Sequence, residues 1–338
     1  MRRFIGYEKG VDFGGWLSQC EHTKEHYDSF ITENDFAEVS KWKLDHVRVP
    51  IDYDLVEDEQ DNFSEAGMAY VQQAIDWCGK YDLNMVLDLH KTLGFSFDKG
   101  ECESGFFFDE DLQEHFYRLW EELAKRFGKY SSRVAFELLN EITDISYAEK
   151  WEKISAECIR RIRKIAPDVY IIVGGYYNNS IEALDSILMP TDDKIVYTFH
   201  CYEPLIFTHQ GAYWVDNMPG DFRLKFPDKA RNYVEQKNKL GLNIADPVGN
   251  VDPDISCVDV FDIMFEKAVA LAEERNVPLY CGEYGVIDLA DKDSTIAWYK
   301  AINSAFNKYA IARCAWCYKK KDFGIIDTSY PEELIKYL

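Results

Sequence analysis

Short apolar runs of strand length alternate along the chain with longer segments in which apolar residues recur every three or four positions. The first pattern predicts β-strands, and the second predicts amphipathic helices that pack against them. The predicted strands cover residues 10–16, 46–50, 84–90, 134–141, 169–175, 195–202, 278–283 and 312–318. The predicted helices cover residues 33–43, 65–81, 110–127, 148–166, 181–188, 258–275, 294–309 and 332–338. Strands that alternate with helices favour an α/β fold with a parallel sheet, and eight such units predict a (β/α)8 TIM barrel.

One connection is much longer than the others. Residues 203–257 separate predicted strand six from the next helix, whereas an ordinary βα loop has only a few residues. A long insertion at the C-terminal end of barrel strands is typical of a lid or a wall over a site. No stretch rich in proline, glycine or serine marks a second domain. We therefore expect one catalytic barrel over residues 1–338, with an inserted subdomain or lid at 203–257.

The composition narrows the classes of partner. The 338 residues include 38 Lys and Arg and 60 Asp and Glu, which gives a formal net charge of -22. This charge repels phosphate backbones and anionic membranes, so we expect neither nucleic acid nor membrane as a partner. We also expect a monomer. Aromatic residues make up 15% of the chain and offer flat apolar faces for the rings of a neutral sugar polymer, although most aromatic side chains of a protein pack in its core.

Targeting and metal-binding signals are weak. The N-terminal segment lacks the apolar run of a signal peptide, and no later run is long enough to span a bilayer. We therefore expect a cytoplasmic protein, or a secreted one if a leader has been removed. The nine cysteines are scattered singly except for Cys314 and Cys317, and that pair has no second pair with which to complete a zinc site. We expect reduced, buried cysteines, no metal and no cofactor.

Polar residues recur at the C-terminal ends of the predicted strands. Because parallel strands of a barrel all end at one mouth, these residues are expected to meet there. Two of them are glutamates, and cleavage of a glycosidic bond needs one carboxyl group to protonate the leaving oxygen and a second on the opposite face of the sugar. In chain order the residues are Arg48, His90, Asn140, Glu141, His200, Tyr202, Glu283 and Trp316.

The motifs that contain these residues resemble those of glycoside hydrolase family 5, a clan A family. The motifs are HVRVP, LDLH, FELLNE, FHCY, CGEYG and AWCYKK, and the segments GVDFGGW, FTHQGA and YKKKDFGI are similar to those of its compact endoglucanases. The resemblance extends over essentially the whole chain. It implies a retaining double displacement in which Glu141 is the acid/base and Glu283 is the nucleophile, with carboxyl groups about 5 to 5.5 Å apart.

The resemblance also implies roles for the neighbouring side chains. Asn140 would bind the sugar 2-hydroxyl, and Trp316 would be a stacking platform for a sugar ring. Arg48 and Tyr202 would hold Glu283 and favour its ionised form. Considered alone, each has a structural alternative, such as an ion pair within the barrel for the arginine.

Other residues are more ambiguous. His90 and His200 would line the cleft as hydrogen-bond donors, or they are satisfied histidines of the core. Several aromatic residues are weaker candidates for sugar platforms, with core or lid packing as the alternative, and two amides after strand five could bind a sugar hydroxyl or form a turn. These weaker candidates are Trp16, Phe97, Phe207, Trp214, Asn178 and Asn179.

We expect a retaining endo-β-1,4-glucanase that hydrolyses soluble cellulose derivatives and mixed-linkage β-glucan. A β-mannanase or an exo-β-glucanase of the same family is the alternative, since mannose differs from glucose only in an axial 2-hydroxyl. A metal-dependent barrel hydrolase is disfavoured because the sequence has no His-x-His motif. A noncatalytic carbohydrate-binding barrel is disfavoured because sugar binding alone does not require both glutamates.

Overall fold

The barrel predicted from the sequence is present. A computed structural model describes residues 1–58, 60, 62–98, 105–242, 244 and 247–338, and in it eight parallel strands close into a barrel in chain order. The first strand pairs with both the second and the last, so that Val11 lies beside Val47 and Ala315. The strands are β1 (Lys9–Asp12), β2 (His46–Asp52), β3 (Asn84–Lys91), β4 (Val134–Glu137), β5 (Tyr170–Val173), β6 (Ile195–His200), β7 (Leu279–Tyr284) and β8 (Ala312–Ala315).

Helices surround the barrel. Their bounds are Lys24–Ser29, Glu33–Val39, Tyr53–Val56, Glu65–Lys80, Glu110–Phe127, Ala148–Ile165, Leu205–Thr208, Ala230–Leu240, Cys257–Glu274, Lys292–Tyr309 and Pro331–Ile335. Short 3-10 turns cover Ser40–Trp42, Gly128–Tyr130, Ile145–Tyr147, Pro247–Asn250 and Ile325–Asp327. The helix predicted at 181–188 is only a 3-10 segment, Ile181–Ser186, because Ile187 returns to an extended conformation. Within the described residues, no helix combines the length and apolar character needed to cross a membrane.

Aromatic side chains close the N-terminal end of the barrel. Phe4 and Tyr7 are buried, and their rings stack with centroids 4.3 Å apart. Phe4 also packs edge-on against Tyr170 of β5 and Tyr280 of β7. A second and larger apolar core lies between the strands and the helices. The accessible end of the barrel is therefore the mouth formed by the C-terminal ends of the strands.

The fourth strand ends earlier than predicted. β4 stops at Glu137, although the backbone N–H of Asn140 still donates to the carbonyl of Leu89 at 3.0 Å. Glu141 has a φ of 46°, which is a left-handed conformation that an extended strand cannot contain. The chain therefore leaves the sheet at the point where it presents the Glu141 carboxylate to the mouth.

The insertion at 203–257 packs against the barrel over its described residues. Phe207 and Phe226 are buried within it, with ring centroids 5.4 Å apart. The backbone N–H of Phe226 donates to Ser294 Oγ at 3.0 Å, which ties the insertion to the helix after β7. The full burial of Phe207 corrects its prediction as a sugar platform, because its ring is used in packing. Movement of the insertion as a lid stays a prediction.

The expected burial of the cysteines holds for seven of the eight in the described part of the chain, whereas Cys20 is half-buried. None of these eight forms a disulfide. Burial raises the pKa values of the Cys314 and Cys317 thiols well above the ordinary value for cysteine. A raised pKa disfavours the thiolate form, which is the form that binds zinc. Cys102 lies outside the described residues.

Candidate active site

A fully buried arginine organises the base of the barrel mouth. Arg48 on β2 has acceptors for all five of its N–H groups. Its Nε and Nη2 bind the carboxylate of Glu137 at 2.7 and 3.3 Å, and Nη2 also binds Asn140 Oδ1 at 2.8 Å. Its Nη1 binds Asp12 at 3.0 Å and Glu283 Oε1 at 2.7 Å. A buried guanidinium is tolerated only when its charge is compensated and all its N–H groups donate hydrogen bonds. Closure of the barrel meets both requirements, because it brings carboxylates from other strands to Arg48.

Glu283 on β7 is held at both carboxylate oxygens. Arg48 binds Oε1, and the Tyr202 hydroxyl donates to Oε2 at 2.8 Å. Burial by itself would raise the pKa of Glu283, but the positive charges of His200 and Arg48, together with the hydrogen bond from Tyr202, outweigh it and lower the pKa to about 2. The side chain is therefore ionised and oriented at neutral pH, as a nucleophile must be.

Glu141 is also held at both oxygens, but by weaker donors. His200 Nδ1 lies 2.8 Å from Oε1, and Asn178 Nδ2 donates to Oε2 at 3.0 Å. Its side chain is 14% exposed, compared with 7% for Glu283. In the described structure no arginine or lysine is paired with Glu141, whereas Arg48 is paired with Glu283. This environment suits a carboxyl group that must take up and release a proton.

The two glutamates face each other across His200. Residues His200 and Glu283 are register partners on β6 and β7, and His200 Nδ1 is 3.6 Å from Glu283 Oε2. One carboxylate oxygen from each glutamate and a ring nitrogen of His200 all lie within 4.8 Å of one another. Burial would lower the pKa of His200, but the charges of Glu283 and Glu141 outweigh burial and raise it. Carboxylate oxygens within 4.8 Å of each other are compatible with the short carboxyl separation of a retaining site.

His90 and Trp316 form an aromatic wall of the mouth. Their rings are nearly parallel, at an interplanar angle of 5° with centroids 5.8 Å apart, and Phe97 packs edge-on against His90 at 4.8 Å. His90 Nδ1 lies 2.5 Å from Asp88 Oδ2, which fixes the orientation of the ring. Burial, followed by the charge of Arg48, lowers the pKa of His90 well below its ordinary value, so the imidazole is neutral.

The indole of Trp316 depends on a glycine beneath it. A Cβ at Gly14 would lie 2.5 Å from the Trp316 ring, so only glycine permits the approach. On the same side of the mouth, half-buried Trp214 from the insertion packs near Phe323, with ring centroids 6.3 Å apart. The structure thus brings Trp316, Trp214 and Phe97 to the mouth, and sugar contacts by these rings stay a prediction.

Trp16 does not reach the mouth, which corrects its prediction as a sugar platform. Its side chain is fully buried, stacks with Trp77 at 6.1 Å between ring centroids, and donates Nε1–H to the carbonyl of Tyr27 at 2.9 Å. An aromatic residue near a strand end can pack in the core instead of facing the mouth. Here the helix Glu65–Lys80 covers the Trp16 ring. Asn178 contacts Glu141 and forms part of a turn, whereas sugar binding by Asn178 stays a prediction.

Three buried acids at the site were missed from the sequence. They are Asp12, Asp88 and Glu137, all fully buried on β1, β3 and β4. Burial raises the pKa of Asp88 and of Glu137 to about 7, in spite of the lowering effect of Arg48. A charged residue within an apolar strand run was the available signal, because such a residue must find a partner inside the barrel.

Among the residues that the structure describes, two groups of side chains have the proximity that a metal ion would need. In the first, the guanidinium of Arg48 already places a positive charge 2.7 Å from Glu283, which disfavours a cation there. In the second, Asp52 accepts hydrogen bonds from Ser18 Oγ at 2.6 Å and from the backbone N–H of Gln19 at 3.2 Å. The groups are Glu141, His200 and Glu283, and His22, Asp52 and Asp54.

Comparison with known proteins agrees with this geometry. Residues 8–322 match the model of the cellulase family, glycosyl hydrolase family 5. The chain is 44% identical to cellodextrinase A from Ruminococcus flavefaciens, over 93% of this chain and 86% of that protein. It is 35% identical to endoglucanase C from Acetivibrio thermocellus, over 95% of this chain and 94% of that protein.

Solved structures share the barrel. The cellulose synthase subunit Z from Clostridioides difficile superposes with a TM-score of 0.77 at 25% identity, over 98% of this chain and 99% of that chain. A hyperthermophilic endo-beta-1,4-glucanase also superposes with a TM-score of 0.77, but at 21% identity, so that likeness concerns the fold alone. Each match covers 98% of this chain.

Proposed function

This chain belongs to glycosyl hydrolase family 5, and we propose that it is a retaining endo-β-1,4-glucanase that cleaves soluble β-glucans and cello-oligosaccharides. It is a glycoside hydrolase, and the endoglucanase and cellodextrinase relatives support action on β-glucan. The observation that carries the mechanism is the pair of carboxylates with oxygens within 4.8 Å. One is clamped by Arg48 and Tyr202, and the other is held by His200 and Asn178.

In the first half of the reaction, a Glu283 oxygen attacks the anomeric carbon while Glu141 gives its proton to the leaving glycosidic oxygen. The low pKa of Glu283 supplies the ionised nucleophile, and the product is a covalent glycosyl-enzyme with the inverted configuration. Because Asn140 Oδ1 accepts from Arg48, its Nδ2 is the group left to donate to a sugar 2-hydroxyl.

In the second half, the cleaved chain leaves and a water molecule takes its place. Glu141 is now ionised and removes a proton from that water as it attacks the anomeric carbon, which releases Glu283 and restores the original configuration. Glu141 therefore has to be an acid in one step and a base in the next. The Glu141 side chain is partly exposed and accepts a hydrogen bond from the neutral amide of Asn178. Both features suit a carboxyl group that alternates between acid and base.

Aromatic surface around the mouth supports a polymeric or oligomeric substrate. Phe108, Ile145 and Tyr177 follow β3, β4 and β5 respectively and are 64%, 50% and 40% exposed. Tyr213, in the insertion after β6, is 85% exposed. Exposed apolar side chains on the C-terminal face, beyond the His90 and Trp316 wall, can bind further sugar rings of a chain.

A cellodextrinase that prefers short oligosaccharides is the second candidate, because the 44% identical relative carries that name. Carboxymethyl cellulose, mixed-linkage β-glucan, cellohexaose and mannan should be digested side by side, with Glu283→Ala as a control for contaminating activity. We expect the viscosity of carboxymethyl cellulose to fall well before most reducing ends appear, with slower action on mannan. Unchanged viscosity with rapid cellohexaose cleavage would replace the endoglucanase by a cellodextrinase, and faster action on mannan would replace glucan by mannan.

A further inference from the structure

The loop after β5 contains an unusual backbone feature. Tyr177, Asn178 and Asn179 have φ values of 50°, 56° and 55°, so three consecutive residues are left-handed. This conformation crowds the Cβ of an L-residue against the following carbonyl, and it normally occurs at single positions, most readily at glycine or asparagine. A run of three such residues persists only where surrounding contacts over-determine it, and such places are often functional.

The contacts of this left-handed turn converge on Glu141 and its histidine. The backbone N–H of Asn178 donates to the carbonyl of Ile142 at 2.9 Å, next to Glu141. Its side-chain Nδ2 donates to Glu141 Oε2 at 3.0 Å. Asn179 Nδ2 lies 3.3 Å from His200 Nε2, while the other ring nitrogen of His200 contacts Glu141 Oε1. Both carboxylate oxygens are thus held from this turn, one directly and one through His200.

The second asparagine is built into the barrel. Asn179 is fully buried, and a Cβ at residue 174 would lie 2.1 Å from its Oδ1, so Gly174 makes room for the amide. The next residue, Ser180, forms an isolated parallel β-bridge with His200. Rotation of the Asn179 amide would turn Oδ1 to His200 Nε2, so that Asn179 can serve either the neutral or the protonated ring.

We propose that Asn178 is a positioning residue for the acid/base Glu141, and that the turn Tyr177–Asn178–Asn179 sets the direction in which Glu141 delivers its proton. The inference rests on the proposed function, which gives Glu141 that role. In this structure the Asn178 Nδ2–H donates to the carboxylate of Glu141, so the amide orients the ionised form, which acts as the base in the second step.

The hydrogen bond from Asn178 to Glu141 predicts the direction in which the pH profile of activity moves when Asn178 is replaced. Asn178 donates to the ionised form of Glu141, so its removal makes the proton on Glu141 harder to lose. The basic limb of kcat/KM, which reports loss of that proton in the free enzyme, should move to higher pH. The other titratable groups near Glu141 are His200, Glu283, Tyr202 and Asp88, and they are unchanged in the variants.

Asn178→Gly is the sharpest test, because glycine accepts the left-handed conformation and only the amide is lost. Asn276→Gly is the matched control. Asn276 is also an exposed left-handed asparagine, with a φ of 53°, but it lies before β7 at the opposite end of the barrel. Asn178→Asp is the second variant, since it keeps the size of the side chain while replacing the donor by a negative charge.

The measurement is kcat/KM for cellotetraose and for 2,4-dinitrophenyl β-cellobioside across pH, with the Tm of each protein. Cellotetraose has a poor leaving group that needs the proton of Glu141, whereas dinitrophenolate leaves without it. In Asn178→Gly we expect kcat/KM for cellotetraose to fall roughly ten- to a hundredfold, with little change for the dinitrophenyl substrate. We expect the basic limb for cellotetraose to move to higher pH, and further in Asn178→Asp.

The possible outcomes separate the two proposals. If the wild-type protein cleaves both substrates and Asn178→Gly matches Asn276→Gly in rate and basic limb, the positioning role is wrong while the proposed function stands. Equal losses on both substrates at an unchanged basic limb would also overturn the role, since they would indicate a general structural defect. If the wild-type protein cleaves neither substrate, the proposed function fails and takes this inference with it.

Discussion

Removal of one oxygen atom at Tyr202 should shift the acidic limb of the activity profile upward. The Tyr202 hydroxyl donates to Glu283 Oε2 at 2.8 Å, and Tyr202→Phe deletes that donor while the ring keeps its shape. The Glu283 side chain is 7% exposed, so solvent replaces the lost donor poorly. A hydrogen bond to a charged group contributes about 1.5–3 kcal/mol, and a pKa unit corresponds to about 1.4 kcal/mol. The pKa of Glu283, about 2 in the intact site, should therefore rise by roughly one to two units.

The assay for this shift is kcat/KM for 2,4-dinitrophenyl β-cellobioside from acidic to neutral pH. Because this leaving group needs no proton from Glu141, the acidic limb reports ionisation of the nucleophile, within the coupled titration of the two glutamates. Circular dichroism at each pH restricts the comparison to conditions in which both proteins are folded. Tyr284→Phe is the matched control, since Tyr284 is the next residue of β7 but its hydroxyl donates to Asn303 at 3.2 Å, away from the mouth.

We expect the acidic limb of Tyr202→Phe to lie roughly one to two pH units above that of Tyr284→Phe and of the wild-type protein. The reasoning would be refuted if both variants had the wild-type limb, because Tyr202 would then make no net contribution to the ionised form of Glu283. A limb that moved equally in both variants would also contradict it, since the shift would come from a general loss of stability.

Two further predictions concern the nucleophile assignment and the sugar platforms. With an activated substrate, azide should restore activity to Glu283→Ala with formation of an α-glycosyl azide and to Glu141→Ala with formation of a β-glycosyl azide, as determined by NMR of the products; the opposite products would exchange the two roles. Trp316→Ala should raise KM for cellotetraose roughly two- to tenfold and also lower Tm, because its indole is buried against Phe323. Trp16→Ala should lower stability by about 3–5 kcal/mol and leave KM of the folded enzyme unchanged; a raised KM in Trp16→Ala would show that its indole reaches the substrate.

The sequence predicted the barrel because each strand is an apolar run and each outer helix has an apolar face. It also placed the polar residues at strand ends, since parallel strands deliver those ends to one mouth. The boundary of β4 was less predictable. Glu141 continues an apolar run in sequence, but its left-handed backbone ends the strand, and nothing in the local pattern of side chains signals that conformation.

Long-range partners were the main omission. The carboxylates of Asp12, Asp88 and Glu137 belong to three different strands and meet only because the barrel closes around Arg48. No local spacing in the sequence encodes that meeting. Each acid is visible as a charge in an apolar run, but the identity of its partner depends on the register of strands that are distant in the chain.

The ambiguous aromatics divide for a related reason. Trp16 and Trp316 both follow or end strand-like runs, and both are large apolar side chains. Trp16 is covered by Trp77 from an outer helix, whereas Trp316 stacks on His90 inside the mouth. Whether an aromatic side chain packs in the core or faces a ligand depends on which helix covers it, and that relationship is tertiary.

Glu141 and Glu283 are proposed to act as acid/base and nucleophile of a retaining hydrolase. The anomeric configuration of the first product, followed by proton NMR from the start of cellotetraose hydrolysis, tests these roles. The proximity of the two carboxylates predicts that the β-anomer appears first and that the α-anomer grows later through mutarotation. Initial release of the α-anomer would contradict the double displacement and the roles of both glutamates.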